Sequence, residues 1–565
     1  MNHMRKILAF FCAITLVMSM SAFASEAPDT AGETRILVLE TSDIHGWIMD
    51  ASSGAESTFQ YRGAYLAHIV NEARASDAYD DVLLLDGGDL YQGCPVSNLL
   101  TGAPVRAFVD AMDYDAVALG NHEFDWGVEA YCADPDGTVP AYELGDFSGD
   151  PDIPILSSEI YRAETGERVP FTQDHVIVEK AGHRIALVGY IPDYSGQIAK
   201  ESIEAYTIDG SLNRLIERVR AINGTEAPDV TIVVAHEEPT RVAAALDPAD
   251  VQLVTGGHVH AGRSGISDSG VPYIQGNSEA KGYAAAVIII GGDGSVRVEE
   301  PAHFDITRDR KALFDTVENA SLLDETVLSI CRTAWDEVQD DMSEVIGYID
   351  TPIDMRSVSD NGASAAGNFF TGLMLRETAP EGVVAAFYNS GGIRAALTIP
   401  SGAETRDVTA GDIYAIAPFG NSWFVFELTG AELAKQLADC IVHKDNGDQM
   451  SGLTFEYLAT GMDIEIVSIT LDDGTEVDVH DDETLYRVCT SSYSATREGS
   501  VFEDKEPLFP EAEAPIDNLT MIALLREEAK MNDGRIDVDT TGRGVCLNKD
   551  EASGETSGES SGGTL

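Results

Sequence analysis

Between Arg35 and about Asp305 the chain carries short runs of aliphatic and β-branched residues, each ending in a glycine-rich or acidic cluster. Ile36 to Leu39 leads into Thr41-Ser42-Asp43-Ile44-His45-Gly46, and Val82 to Leu85 into Asp86-Gly87-Gly88-Asp89. Ala116 to Leu119 leads into Gly120-Asn121-His122-Glu123-Phe124-Asp125, Val230 to Val234 into Ala235-His236, and Gln252 to Val254 into Gly256-Gly257-His258-Val259-His260. Runs this short and apolar, separated by helix-like stretches, predict buried strands in an α/β arrangement. The polar clusters then fall just past the carboxyl ends of strands, the edge where α/β sheets build ligand sites.

The pattern changes near Thr307. Leu313, Val317, Leu322 and Val327, spaced among charges, predict a helix or helix pair over 306–342. A second domain is expected over 343–547, with Asn389-Ser390-Gly391-Gly392-Ile393-Arg394 and Pro418-Phe419-Gly420-Asn421 as its landmarks. Residues 548–565 are largely Gly, Ser, Glu and Thr, which predicts a disordered tail. With 565 residues, two sizeable cores are expected in any case.

At the other end, Arg5 and Lys6 precede an apolar run from Ile7 to Met20, and Ala22-Phe23-Ala24 follows. This is the pattern of a signal peptide over 1–24, and it predicts a secreted, periplasmic or cell-surface protein. No later run is long and apolar enough to span a membrane. Six cysteines follow Ala24, namely Cys94, Cys132, Cys331, Cys440, Cys489 and Cys546, an even number compatible with disulfides. The absence of any C-x-x-C pair removes thiolate zinc sites.

A net charge of −60 repels nucleic acid and anionic membranes. Any anionic substrate must therefore find a positive field made locally, by metal ions and a few arginines. The strand-end clusters supply the means. Asp43, His45, Asp89, Asn121, His236, His258 and His260 offer the oxygen and imidazole donors that a divalent cation needs, each from a rigid element. Seven ligands with one shared, Asp89 being the natural bridge, give four donors to each of two ions, and two ions about 3.5–4 Å apart suit phosphoester hydrolysis. Zn, Mn, Fe and Co all fit such mixed donors.

The ordered series Asp-x-His, Gly-Gly-Asp, Gly-Asn-His-Glu, His and Gly-His-x-His resembles the calcineurin-like metallophosphoesterases. With Gly-Asn-His-Glu-Phe-Asp and the second-domain segments, the chain is similar to the bacterial 5′-nucleotidase/UDP-sugar hydrolase family over nearly all of 35–547. The resemblance implies a metallophosphoesterase β-sandwich flanked by helices over 34–305, a helical linker and a second α/β substrate-binding domain. It implies one ion on Asp43, His45, Asp89 and His260, the other on Asp89, Asn121, His236 and His258. It also gives His122 the task of stabilising charge on the phosphate, with Asp125 holding the imidazole protonated.

In the second domain the resemblance implies that Arg394 contacts phosphate, Asn389 and Asn421 contact polar groups, and Phe419 stacks on a base. Tyr493 stands where the family has a second stacking Phe. The family's ribose-binding Asp has no clear counterpart, Glu498 being the nearest, and its further arginine aligns with Asp360, beside Arg356. The implied substrates are nucleoside 5′-monophosphates, with other nucleotides and UDP-sugars as further candidates, and no obligate protein partner is inferred. A 2′,3′-cyclic-nucleotide phosphodiesterase with 3′-nucleotidase activity is the rival within the same architecture, and Asp125 favours the 5′-nucleotidase branch. A non-catalytic surface nucleotide-binding module is the reading from another class, and it would need neither His122 nor Asp125.

So large a net charge opposes the compact state through self-repulsion, and salt screens it. The melting temperature should rise between about 0.02 and 0.5 M sodium chloride, by roughly 2–4 °C for each kcal/mol of repulsion relieved. A flat or falling profile in differential scanning calorimetry would contradict this.

Overall fold

A computed structural model of the chain describes residues 32–51, 56–127, 153–157, 159–195, 198, 200–355, 363–442, 447–497, 500–503, 505–509 and 514–548. The expected leader, Cys132, Arg356, Asp360, Glu498 and the tail from Lys549 onward lie outside the described residues. The chain forms two compact units, the first chiefly up to Asp336 and the second from Glu337.

The strands of the first unit are β1 (Thr34–Thr41), β2 (Asp81–Asp86), β3 (Ala116–Ala118), β4 (Ile155–Leu156), β5 (Ile160–Arg162), β6 (His175–Lys180) and β7 (His183–Tyr190). They continue with β8 (Tyr206–Ile208), β9 (Val230–Ala235), β10 (Leu253–Thr255), β11 (Arg263–Ile266), β12 (Pro272–Gln275), β13 (Gly282–Ile290) and β14 (Val296–Asp305). Two six-stranded sheets result, ordered β14-β13-β1-β2-β3-β4 and β11-β12-β10-β9-β7-β6. Parallel pairing runs through β1-β2-β3-β4 and through β7-β9-β10-β12, so the strand ends that carry the polar clusters point the same way within each sheet.

Period-two alternation explains the packing. Ile36, Val38, Leu83 and Leu85 from one sheet share a buried core with Leu187, Ile232, Val234 and Leu253 from the other. The alternate residues Ala186, Val188, Val233 and Val254 are buried too, against Leu215, Val219 and Ile222 of the helix Leu212–Glu226 and Val242 and Ala243 of the helix Pro239–Ala245. Strands buried on both faces are apolar throughout, which is why the sequence showed continuous runs there. The Ser211 hydroxyl accepts from Arg214 N and starts the first of these helices.

The segment expected to be helical over 306–342 contains a 3-10 stretch, Ile306–Leu313, and an α-helix, Glu325–Ser343. Leu313 and Val327 are buried, but Val317 lies between these elements and is fully exposed, so one helical period does not run through all four positions.

In the second unit a four-stranded sheet takes the order Trp423–Thr429, Leu485–Ser491, Val383–Asn389, Asp448–Ser451. Phe387, Phe426 and Val488 from it pack with Leu433 and Leu437 of the helix Gly430–Val442 and with Phe455 and Ile469 of a further sheet. The disulfides that the cysteine count allowed are absent among the described residues. Cys94, Cys331, Cys440 and Cys489 are buried free thiols and Cys546 is a partly exposed one. Burial pushes the Cys94 and Cys489 thiols up to about 12, so they pack as small apolar side chains. Among the described residues no helix is long and apolar enough to cross a membrane.

Leu83 is fully buried between the two sheets of the first unit. Leu83→Ala should cost that unit about 2–5 kcal/mol in urea unfolding, and a loss below about 1 kcal/mol would contradict the packing described.

Candidate metal centre and active site

β1 delivers Asp43 and His45, β2 delivers Asp89, β3 delivers Asn121, β9 delivers His236, and β10 delivers His258 and His260. All seven expected donors thus leave carboxyl ends of strands. Five of them, Asp43, His45, Asp89, His258 and His260, have φ between 48° and 69°, the left-handed region that non-glycine residues rarely enter. Hydrogen bonds hold these turns against that preference. Asp43 N donates to Gly88 O (2.9 Å), His45 N to Asp89 O (2.9 Å), and His258 N to Asp43 Oδ1 (2.8 Å).

The donor atoms of Asp43, His45, Asp89 and His260 lie within 4.8 Å of one another, and so do those of Asp89, His236 and His258. Asp89 belongs to both groups. Asn121 Oδ1 lies 3.0 Å from His236 Nε2 and 3.2 Å from His258 Nδ1, which places it with the second.

The protonation pattern follows from the carbonyls nearby. Gln92 O lies 2.7 Å from His45 Nδ1 and Gly87 O lies 2.8 Å from His236 Nδ1, and because a carbonyl only accepts, each Nδ1 carries the proton. In the neutral rings Nε2 is then a bare lone pair aimed into the cluster. For His236 that lone pair faces Asn121 Oδ1 and, at 3.2 Å, Asp89 Oδ2. Asp43 Oδ2 and Asp89 Oδ2 are buried without a hydrogen-bond partner. Lone pairs converging on lone pairs, with orphaned buried carboxylate oxygens among them, require a cation, so the residues present fit divalent metal ions.

The charges agree. Burial, reinforced by His260, lowers the His45 pKa to about 3, and burial with His236 lowers that of His258 to about 3, so both rings are neutral and ready to ligate. Burial opposes charge on His236 as well, but Asp89 outweighs it and raises the ring to about 9.

His122 stands beside this cluster, its ring 5.2 Å from that of His45. Its Nδ1 is 2.7 Å from Asp125 Oδ2, and its backbone N donates to Asp89 Oδ1 at 2.9 Å. Burial works against the charged ring, yet Asp125 and then Asp89 outweigh it and push His122 up to about 10. The imidazolium is two-thirds buried, with Nε2 left over for a ligand.

Sequence reasoning passed over Glu123. Its buried carboxylate accepts from Asp89 N (3.1 Å), Leu90 N (2.8 Å) and Gly120 N (2.7 Å), tying the turn after β2 to the turn after β3. The available signal was its place within Gly-Asn-His-Glu.

Comparison with known proteins matches residues 36–262 to the calcineurin-like phosphoesterase family and residues 345–504 to the 5′-nucleotidase C-terminal domain. The chain belongs to the calcineurin-like phosphoesterases that carry a 5′-nucleotidase C-terminal domain. It is 22% identical to the trifunctional nucleotide phosphoesterase protein YfkN of Bacillus subtilis, over 82% of this chain and 32% of that protein. It is 29% identical to a 5′-nucleotidase of Vibrio vulnificus over 40% of each. Matches to the first curated relatives span from 32% to 64% of their lengths. Among solved structures, a 5′-nucleotidase precursor from Thermus thermophilus superposes with TM-score 0.62 at 19% identity, covering 91% of this chain and 99% of that one. A putative 5′-nucleotidase from Staphylococcus aureus superposes with TM-score 0.67 at 17% identity, covering 91% and 100%. These two show the shared two-domain fold.

Within the 5′-nucleotidase C-terminal domain the expected substrate residues gather at one end of the four-stranded sheet. Asn389 ends its strand and accepts from Ser491 Oγ at 3.2 Å. Asn421 Nδ2 donates to Tyr388 Oη at 2.9 Å, and that hydroxyl donates to Asp517 Oδ2 at 2.9 Å. Arg394 lies over the Phe419 ring, 4.9 Å from its centre. Tyr493, on the short helix Ser492–Thr496, is 55% exposed. The Tyr388–Asp517 bond, invisible in the sequence, fixes the Asn421 loop from below.

A Cβ at Gly120 would lie 2.2 Å from Asp89 Oδ1 and 2.8 Å from Glu123 Oε2. Gly120→Ala should therefore displace Asp89 and weaken manganese binding by about 10–100-fold in calorimetry. Unchanged affinity would show that the turn does not set the bridge.

Proposed function

We propose that the protein is a secreted, metal-dependent phosphoester hydrolase that releases phosphate from nucleoside 5′-monophosphates. The observation that carries this reading is the convergence of seven donors, with orphaned carboxylate oxygens among them, beside the His122–Asp125 pair. Asp43, His45, Asp89 and His260 would hold one divalent ion, and Asp89, Asn121, His236 and His258 the other. Bound there, two ions supply Lewis-acid charge to the phosphoryl oxygens and activate a water for attack.

The chain's own groups do the rest. Asp125 keeps the proton on His122 Nδ1, so His122 Nε2–H donates to a phosphoryl oxygen as negative charge grows on it. Arg394 pairs with phosphate, Asn389 and Asn421 take polar groups of the nucleoside, and Phe419 and Tyr493 offer aromatic faces to the base. Stacking of this kind tolerates different bases and contributes about 1–3 kcal/mol each. The relatives named as nucleotide phosphoesterase and 5′-nucleotidase support the substrate class. The leader pattern at 1–24 supports export.

Phosphate release from AMP, UMP, ADP, UDP-glucose and 2′,3′-cyclic AMP should vanish after EDTA treatment and return with manganese or zinc, with AMP among the best substrates. Activity indifferent to EDTA would overturn the reading, and cyclic AMP turning over faster than AMP would replace it with the cyclic phosphodiesterase. His122→Ala should lower kcat by about 10²–10⁴ while both metal equivalents remain bound. A near-normal kcat would remove His122 from the chemistry.

A further inference from the structure

Two of the ligand imidazoles are locked by backbone carbonyls, His45 by Gln92 O and His236 by Gly87 O. His258 is different. Among the described residues its ring hydrogen-bonds only to Asn121, itself a donor of the same cluster, and its backbone sits in the left-handed region at φ 69°. Something else must set the plane of this ring, because a ligand imidazole free to turn about its Cβ–Cγ bond loses its aim.

Tyr194, in the loop after β7, lies flat against it. The ring centres are 4.0 Å apart and the planes 22° from parallel. The same tyrosine meets His236 edge-on, at 6.1 Å and 87°. The Glu237 carboxylate stands near its hydroxyl, and burial first, then that carboxylate, hold the phenol's pKa above its ordinary value. Glu237 is fixed in turn, its carboxylate accepting from Glu238 N (2.8 Å) and from Arg241 Nη1 (2.9 Å). Glu237 O accepts from Gly257 N at 3.1 Å, which leads back to the turn carrying His258. Glu237 thus neighbours Tyr194 through its side chain and holds the His258 turn through its backbone.

We propose that Tyr194 is a positioning residue for the Asn121, His236 and His258 half of the metal centre, fixing the plane of His258 and so setting the affinity for one of the two ions. Face stacking resists rotation of the imidazole without competing for its nitrogens. Nothing in the motif pattern marks Tyr194, which stands far from Gly-His-x-His in sequence.

This inference rests on the two-ion reading, and calorimetric titration of the EDTA-treated full chain with manganese separates the two. Wild type should bind two equivalents; fewer would sink the two-ion reading itself. Tyr194→Leu, or Tyr194→Met where Leu compromises folding, should bind one equivalent as wild type does and the other about 10–100-fold more weakly. Tyr194→Phe, which keeps the ring, should hold both within about threefold of wild type. Two undiminished equivalents in the Leu or Met variant would overturn the proposal. Equal weakening of both would do so as well, since that is the mark of a general structural role. Loss in Tyr194→Phe as deep as in the aliphatic variant would also overturn it, by assigning the effect to the hydroxyl.

Discussion

Two buried carboxylate oxygens with no donor to satisfy them govern this molecule. Asp43 Oδ2 and Asp89 Oδ2 are buried without a hydrogen-bond partner, with His260 Nε2 3.8 Å from Asp43 Oδ1 and His236 Nε2 3.2 Å from Asp89 Oδ2. Burying such a group without compensation is expensive, and a divalent cation is the compensation that matches the donors. The rest of the first unit can be understood as the scaffold that holds this arrangement in place. Two mixed sheets, whose central parallel strands are buried on both faces, carry the site at the carboxyl ends of those strands and give it rigid walls.

The same constraint explains the backbone. A left-handed residue ordinarily costs free energy, and a fold would not accumulate five at one site without return. Here each turns a side chain inward directly after a strand. Gly87, Gly88 and Gly120 let the turns approach closely enough for Glu123 to collect three backbone N–H groups. The strain and the unsatisfied oxygens thus occur together, as expected where local preference yields to function.

How much of this was legible in the sequence depended on the scale of the signal. Strands buried on both faces announce themselves as apolar runs, and clusters directly after them announce a site, so Asp43 to His260 could be named from spacing alone. The region 306–342 was harder. Val317 fits the helical spacing of Leu313 and Val327 but belongs to an irregular exposed stretch, because four positions are too few to fix a period. The cysteine count was compatible with disulfides or without them, and burial among apolar side chains accounts for four of the five thiols described here. Tyr194, Glu123 and the Tyr388–Asp517 bond act through contacts between distant segments, and no local pattern encodes those.

The central claim is a centre for two ions that share Asp89. Anomalous diffraction from crystals soaked in manganese, recorded at the manganese absorption edge, tests it most directly. Two peaks about 3.5–4 Å apart on either side of the Asp89 carboxylate are the expected result. A single peak, or peaks away from Asp43, Asp89 and His236, would contradict it.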